Sequence, residues 1–186
     1  MKNYSDYTRQ VLQELQLVLS AVSEADTELL IEKILSAEKV FFVGVGRVFL
    51  SLQSIAKRLA HLGIDTHLVG EITEPAITDK DILIAASGSG ETMFPCGIAK
   101  KAKAYGAQVV MIGSNRESTL AKMVDLMVRV PTNTKLGLLD EIKSTQIMTS
   151  LFEQFLLLYG DVIASMIADK RQIDIHKLWR FHANLE

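Results

Sequence analysis

Cysteine is almost absent from this 186-residue chain, where Cys96 stands alone. No disulfide can close within the chain and no cysteine cluster can hold a metal, which fits a reducing compartment. An excess of one charge is missing too: the net charge is −2 and the pI about 6.1. Nucleic-acid binders carry a basic excess or a basic stripe, and this chain has neither. No uncharged apolar run reaches the ~18 residues that suggest a membrane span. Met1-Lys2-Asn3-Tyr4-Ser5-Asp6 has no apolar signal core, so the expected location is cytoplasmic. Internal repeats and low-complexity linkers are also lacking. What is present is an apolar fraction of 48%, enough for a sizeable core in a chain of one domain's length.

Two helical patterns open the chain. Val11, Leu12, Leu15, Leu17, Val18 and Val22 recur near helical spacing, and Leu29, Leu30, Ile31, Ile34 and Leu35 follow, with Asp26 or Thr27 as the expected cap. Short β-branched and aromatic runs then begin. Lys39 to Val43, Thr66 to Val69, Asp81 to Ala86, Gln108 to Ile112 and Leu126 to Val130 read as five strands. Helices are expected over Phe49 to Leu62, Glu91 to Tyr105, Ser118 to Met123 and, as one long apolar element, Glu141 to Asp169. The alternation predicts a three-layer α/β sandwich with a five-stranded parallel sheet and added N-terminal and C-terminal helices. The expected organisation is one domain: helices over 1–36, the α/β core over 39–169 and a tail over 170–186.

Ligands of such sheets bind beyond the carboxyl ends of the strands, and two glycine loops fall there. Gly44-Val45-Gly46-Arg47 is equally a ligand loop or a tight turn. Phe49 stands where a dinucleotide fingerprint needs its third glycine, so that reading fails. Ser87-Gly88-Ser89-Gly90-Glu91-Thr92 is more specific. Glycines let backbone approach a ligand, and free N–H groups at a helix start favour an anion. Simple capping needs one hydroxyl, whereas Ser87, Ser89 and Thr92 offer three. Phosphate binding is therefore expected. No Gly-Lys-Ser/Thr follows, which argues against nucleotide hydrolysis.

The Ser87-to-Thr92 loop resembles the sugar-phosphate loop of the SIS (sugar isomerase) domain. His61-Leu62-Gly63, Val69-Gly70-Glu71, Ser150-Leu151-Phe152-Glu153-Gln154 and His182-Ala183-Asn184-Leu185-Glu186 resemble the 6-phospho-3-hexuloisomerase family in particular. The resemblance implies a flavodoxin-like SIS fold and a homotetramer with sites at subunit interfaces. It also implies cofactor-free, metal-free interconversion of 3-hexulose 6-phosphate and fructose 6-phosphate, a step of the ribulose monophosphate pathway. Two segments depart from the family pattern. Gly44-Val45-Gly46-Arg47-Val48-Phe49 stands where Gly-x-Gly-Arg-Ser-Gly is usual, and Gln146-Ile147-Met148-Thr149 where Gln-Pro-Met-Gly is usual.

Moving a carbonyl along a sugar takes a base that shifts a proton between neighbouring carbons through an enediolate, and a donor that stabilises the oxyanion. Glu153 is the candidate base. Helical spacing sets it on a polar stripe with Gln146 and Thr149 or Ser150. The residues alone are also satisfied by an exposed helix glutamate, and the resemblance favours the base. It likewise points to His182, acting on oxygen or serving a neighbouring subunit's pocket, and to His61. Gly46 and Arg47 join Ser87, Gly88, Ser89, Gly90, Glu91 and Thr92 as the expected substrate and phosphate contacts. The expected partner is a phosphorylated sugar, with no nucleic acid and no membrane. Competing readings are a sugar-phosphate sensor without chemistry and an isomerase of another sugar phosphate. Sensor SIS domains usually accompany a helix-turn-helix domain, for which forty N-terminal residues are too few.

Overall fold

The computed structural model describes residues 2–183 and 185. Helices α1 (Tyr4–Ser20) and α2 (Glu24–Ser36) lead into β1 (Val40–Val43), α3 (Gly46–His61), β2 (Thr66–Leu68), β3 (Ile82–Ala86), α4 (Met93–Ala104), β4 (Gln108–Gly113), β5 (Leu126–Arg129) and α5 (Ser150–Lys170). All strand pairs are parallel and the order is β2-β1-β3-β4-β5. This is the doubly wound flavodoxin-like arrangement, whose switch point lies between β1 and β3.

Burial on both faces explains why β1, β3 and most of β4 are apolar runs without polar alternation, while the edge strands β2 and β5 are only partly buried. On one face Val40, Phe42, Ile82, Ile84, Val110 and Val128 pack under α3 and α5, with α1 and α2 adding Leu15, Val18, Leu30 and Ile34. On the other face Phe41, Val43, Leu83, Val109 and Met111 meet Ala99 and Ala102 of α4, plus Leu120. Helix α5 is the central core element. Its mean hydropathy reaches 1.5 over 18 residues, enough by length and composition for a membrane span, yet 61% of that window is buried within the fold. Gly160 lets α5 approach α3 closely, since a Cβ there would lie 2.3 Å from Ile55 Cγ1. The buried Tyr159 hydroxyl meets Thr27 Oγ1 at 2.8 Å, joining α5 to α2.

Several boundaries differ from the sequence expectation, each for a local reason. The long helix begins at Ser150, and residues 141–149 are not helical. Met148 holds φ 56°, a left-handed conformation that helix interiors exclude. The Ser144, Thr145 and Gln146 side chains bond to Glu14 on α1. Gln146 is therefore not on a helical stripe with Glu153. Helix α2 is capped by Ser23, whose Oγ accepts from Asp26 N–H, rather than by Asp26 or Thr27. Helix α3 starts three residues early, at Gly46, and α4 two residues late, at Met93. Between Ser118 and Met123 only Ala121–Met123 forms a 3₁₀ turn. The tail carries a second 3₁₀ segment, Ile175–Phe181.

Candidate active site

The loops after β1, β3 and β5 and the start of α5 enclose a cavity of about 460 Å³ at the carboxyl edge of the sheet. From β1 come Val45, Gly46, Arg47 and Val48, and from β3 come Ser87, Gly88, Ser89 and Thr92. The segment 132–135 follows β5, and α5 brings Thr149, Phe152 and Glu153.

The β3 loop is shaped by its own hydroxyls and by glycine. Ser87 Oγ accepts from Gly90 N–H at 3.0 Å and lies 3.2 Å from Thr92 Oγ1. Gly90 has φ 67°, and a Cβ there would fall 2.1 Å from Ser118 Oγ, so only glycine fits. Two of the loop's carbonyls are taken up by neighbouring backbone. Gly88 O accepts from Ser114 N–H and Gly90 O from Leu120 N–H, at 3.0 and 3.1 Å. No side chain caps α4, so Thr92 and Ser89 are not spent on capping. An uncapped helix N-terminus with hydroxyls beside it is suited to a phosphate.

Glu153 occupies the first turn of α5 and is only 8% exposed. Its Oε2 accepts from Arg47 Nε, and its Oε1 accepts from Thr149 Oγ1 at 2.8 Å. The Ser51 hydroxyl donates to the Glu153 carbonyl at 2.8 Å, fixing α5 against α3. The carboxylate is thus buried and charge-paired, and it lines the same cavity as the β3 loop. The Arg47 side chain is 67% exposed and puts its charge at the cavity mouth.

The cavity gathers Gly46, Arg47, Ser87, Gly88, Ser89, Thr92 and Glu153. Gly90 supports the loop from behind. Glu91 turns away, accepting from Thr119 N–H at 2.8 Å, and that bond holds its carboxyl below the usual range. His61 and His182 come together elsewhere, at the C-terminal end of α3, with ring centroids 5.7 Å apart. Burial, aided by the charges of Lys57 and Arg58, pushes the His61 imidazole down. Neither histidine lines the cavity within one chain. Asn184 and Glu186 of the terminal motif lie outside the described residues. Cys96 is half-buried against Gly90 O, and burial pushes its thiol up, as suits a packed residue.

Sequence reasoning missed the segment after β5. Thr132 Oγ1 and Asn133 Oδ1 are buried there without a hydrogen-bond partner among the described residues, and both residues line the cavity with Thr134 and Lys135. The signal was available: Pro131 ends a strand, and the carboxyl-edge rule applies to β5 as it does to β1 and β3.

A model of the SIS domain matches residues 33–158. The chain is 37% identical over 182 residues to the 3-hexulose-6-phosphate isomerase of Bacillus subtilis (strain 168), with 98% of each protein covered. It is 36% identical over 172 residues to that of Mycobacterium gastri, covering 91% of this chain and 86% of the relative. A Methanococcus jannaschii structure, from which a 3-hexulose-6-phosphate isomerase function was inferred, superposes with a TM-score of 0.84 at 27% identity, covering 97% and 99% of the two chains. The chain belongs to the SIS-domain family and, within it, to the 3-hexulose-6-phosphate isomerase family.

Proposed function

We propose that this chain is a phosphosugar isomerase that interconverts 3-hexulose 6-phosphate and fructose 6-phosphate. The observation that carries the reading is the buried Glu153 carboxylate facing the same cavity as the uncapped α4 loop. The phosphate sits on Ser87, Ser89 and Thr92. Glu153 takes the proton from C2, leaving an enediolate across C2 and C3, and returns it to C3. The C2 hydroxyl proton passes to the C3 oxygen, so that the ketone ends at C2 and no atom is gained or lost. The Arg47 guanidinium, already beside the carboxylate, stabilises the developing oxyanion.

The active form is a homotetramer in the cytoplasm. Leu12 and Leu17 on α1 and Leu157 and Val162 on α5 are exposed apolar residues suited to subunit contacts. The paired His61 and His182 would serve a neighbouring subunit's cavity, moving the proton between the sugar oxygens.

Purified chain incubated with 3-hexulose 6-phosphate should release fructose 6-phosphate, and Glu153→Gln should fold normally while kcat falls at least ~100-fold. Full activity in that variant would remove Glu153 as the base. One observation favours a second reading. Val48 lines the cavity where a hydroxyl is usual in the family, so another sugar phosphate, or binding without turnover, is the alternative. A side-by-side panel of phosphosugars separates the three. Turnover of a different member reassigns the substrate, and thermal stabilisation without turnover makes the chain a sensor.

A further inference from the structure

Glu14 lies on α1, outside the cavity, and is only 8% exposed. Its carboxylate has neutral partners, all on three consecutive residues of the segment that leads into α5. Ser144 Oγ donates to Oε2 at 2.6 Å and Gln146 Nε2 to the same oxygen at 3.0 Å. Thr145 donates to Oε1 through N–H at 3.1 Å and through Oγ1 at 3.2 Å. Gln10, one turn earlier on α1, donates to Thr145 Oγ1. Burial pushes the Glu14 carboxyl up, but these hydrogen bonds together outweigh it and hold the group below the usual carboxylate range.

We propose that Glu14 is a positioning residue for the Glu153 base, acting through the segment 144–149; this rests on the reading of Glu153 given above. The segment has no helix of its own and α5 has no side-chain cap; the helix holds Thr149 through its carbonyl, which accepts from Glu153 N–H at 3.2 Å. The Glu14 clamp at 144–146 fixes the chain that enters Thr149 from the other side. Two residues on, Met148 takes φ 56° and lines the cavity. Ser150 N–H and Oγ both donate to Ile147 O, at 3.2 and 2.7 Å, passing the constraint into the helix. Thr149 Oγ1 then holds Glu153 Oε1. An ion buried for docking alone would be a costly choice, since an apolar side chain packs α1 as well. What the carboxylate adds is direction: one rigid helix fixes four donors on three residues of an irregular segment. Misplacing a reacting group by about 1 Å can cost ~100-fold in rate, so a clamp far from the chemistry can govern kcat.

The test compares the full chain with Glu14→Gln, Thr149→Val and the double variant. Glu14→Gln should lower kcat about tenfold and leave KM within about twofold, because the phosphate loop is untouched. Amide exchange at Ser150 and Glu153 should quicken. On the Thr149→Val background the same change should cost less than about twofold, since the route runs through Thr149. Losses that multiply in the double variant, or unchanged exchange at Ser150 and Glu153, overturn the proposal. Should Glu14→Gln not fold, Gln146→Met removes a donor from the other side and must reproduce both the kcat loss and the coupling. If the wild-type chain turns over no 3-hexulose 6-phosphate, the activity reading fails separately, and amide exchange in Glu14→Gln decides this proposal alone.

Discussion

Arg47 on the first turn of α3 and Glu153 on the first turn of α5 form an ion pair across the cavity, between residues 106 positions apart. The carboxylate is buried and the guanidinium side chain is largely exposed, so the mechanism proposed above sets a buried base beside a solvent-facing cation. An arriving sugar phosphate meets the cation first.

Arg47→Ala should therefore reduce kcat by about 10- to 100-fold through loss of oxyanion stabilisation. Arg47→Lys should recover only part of it, because lysine keeps the charge but not the planar fork. Steady-state kinetics on the two variants check this. Equal rates for alanine and wild type would leave Arg47 a surface partner only.

Val48 lines the cavity, at a position where the family resemblance implies a hydroxyl donor. Val48→Ser should tighten binding of the preferred phosphosugar by about 1 kcal/mol, or ~5-fold in KM, if the new hydroxyl meets a sugar oxygen. Measured across a phosphosugar panel, the gain should be largest for the family substrate. A uniform loss would mean that the apolar wall is part of this chain's own specificity.

Gly90→Ala meets two obstacles at once, the positive φ and the Ser118 side chain. The substitution should destabilise the chain by at least about 1–3 kcal/mol. It should also weaken inorganic phosphate binding, read by calorimetry on the fraction that remains folded. A variant with unchanged stability and phosphate affinity would mean that the loop adjusts freely.

Acid should destabilise the chain through named carboxylates. Glu14, Asp81 and Asp125 are each pushed up by burial and brought below their usual range by hydrogen bonds, from Ser144, Thr78 and Lys103 first among others. A depressed folded value means the contribution is complete above the unfolded carboxyl range, near about 4, and disappears as pH falls through the folded value. Urea midpoints should be flat near neutrality and fall below about pH 4. Asp81→Asn should flatten that fall and lower stability at neutral pH, because Asp81 also ties Lys39 and Thr78 at the sheet edge.

Strands β1, β3 and β4 were readable because each is a short apolar run rich in β-branched residues and almost wholly buried, and the edge strands β2 and β5, only partly buried, were readable from their place in the alternation. The β3 loop stood out as an expected phosphate site because three hydroxyls exceed what capping uses, and the structure leaves α4 without a side-chain cap. Glu153 stood out as a charge in an apolar helix, although its neighbours Arg47 and Ser51 lie about a hundred positions away and could not be paired with it. Residues 141–149 looked helical because Ile142 and Ile147 continue the spacing of α5. That extension fails through Glu14, some 130 residues earlier, which engages the side chains of Ser144, Thr145 and Gln146. A bond of that sequence separation leaves no periodic trace. Thr132 and Asn133 were passed over for a different reason: a short polar loop after a proline has the composition of any connection.

Helix α4 covers the second face of the sheet alone among the described α-helices, and its first turn is also the proposed anion site. Ligand capture and the integrity of that face are therefore one equilibrium. A phosphate that settles on Ser87, Ser89 and Thr92 stabilises the helix whose alanines shield Phe41, Leu83 and Val109 from water, so ligand supply should set how often that half of the chain opens.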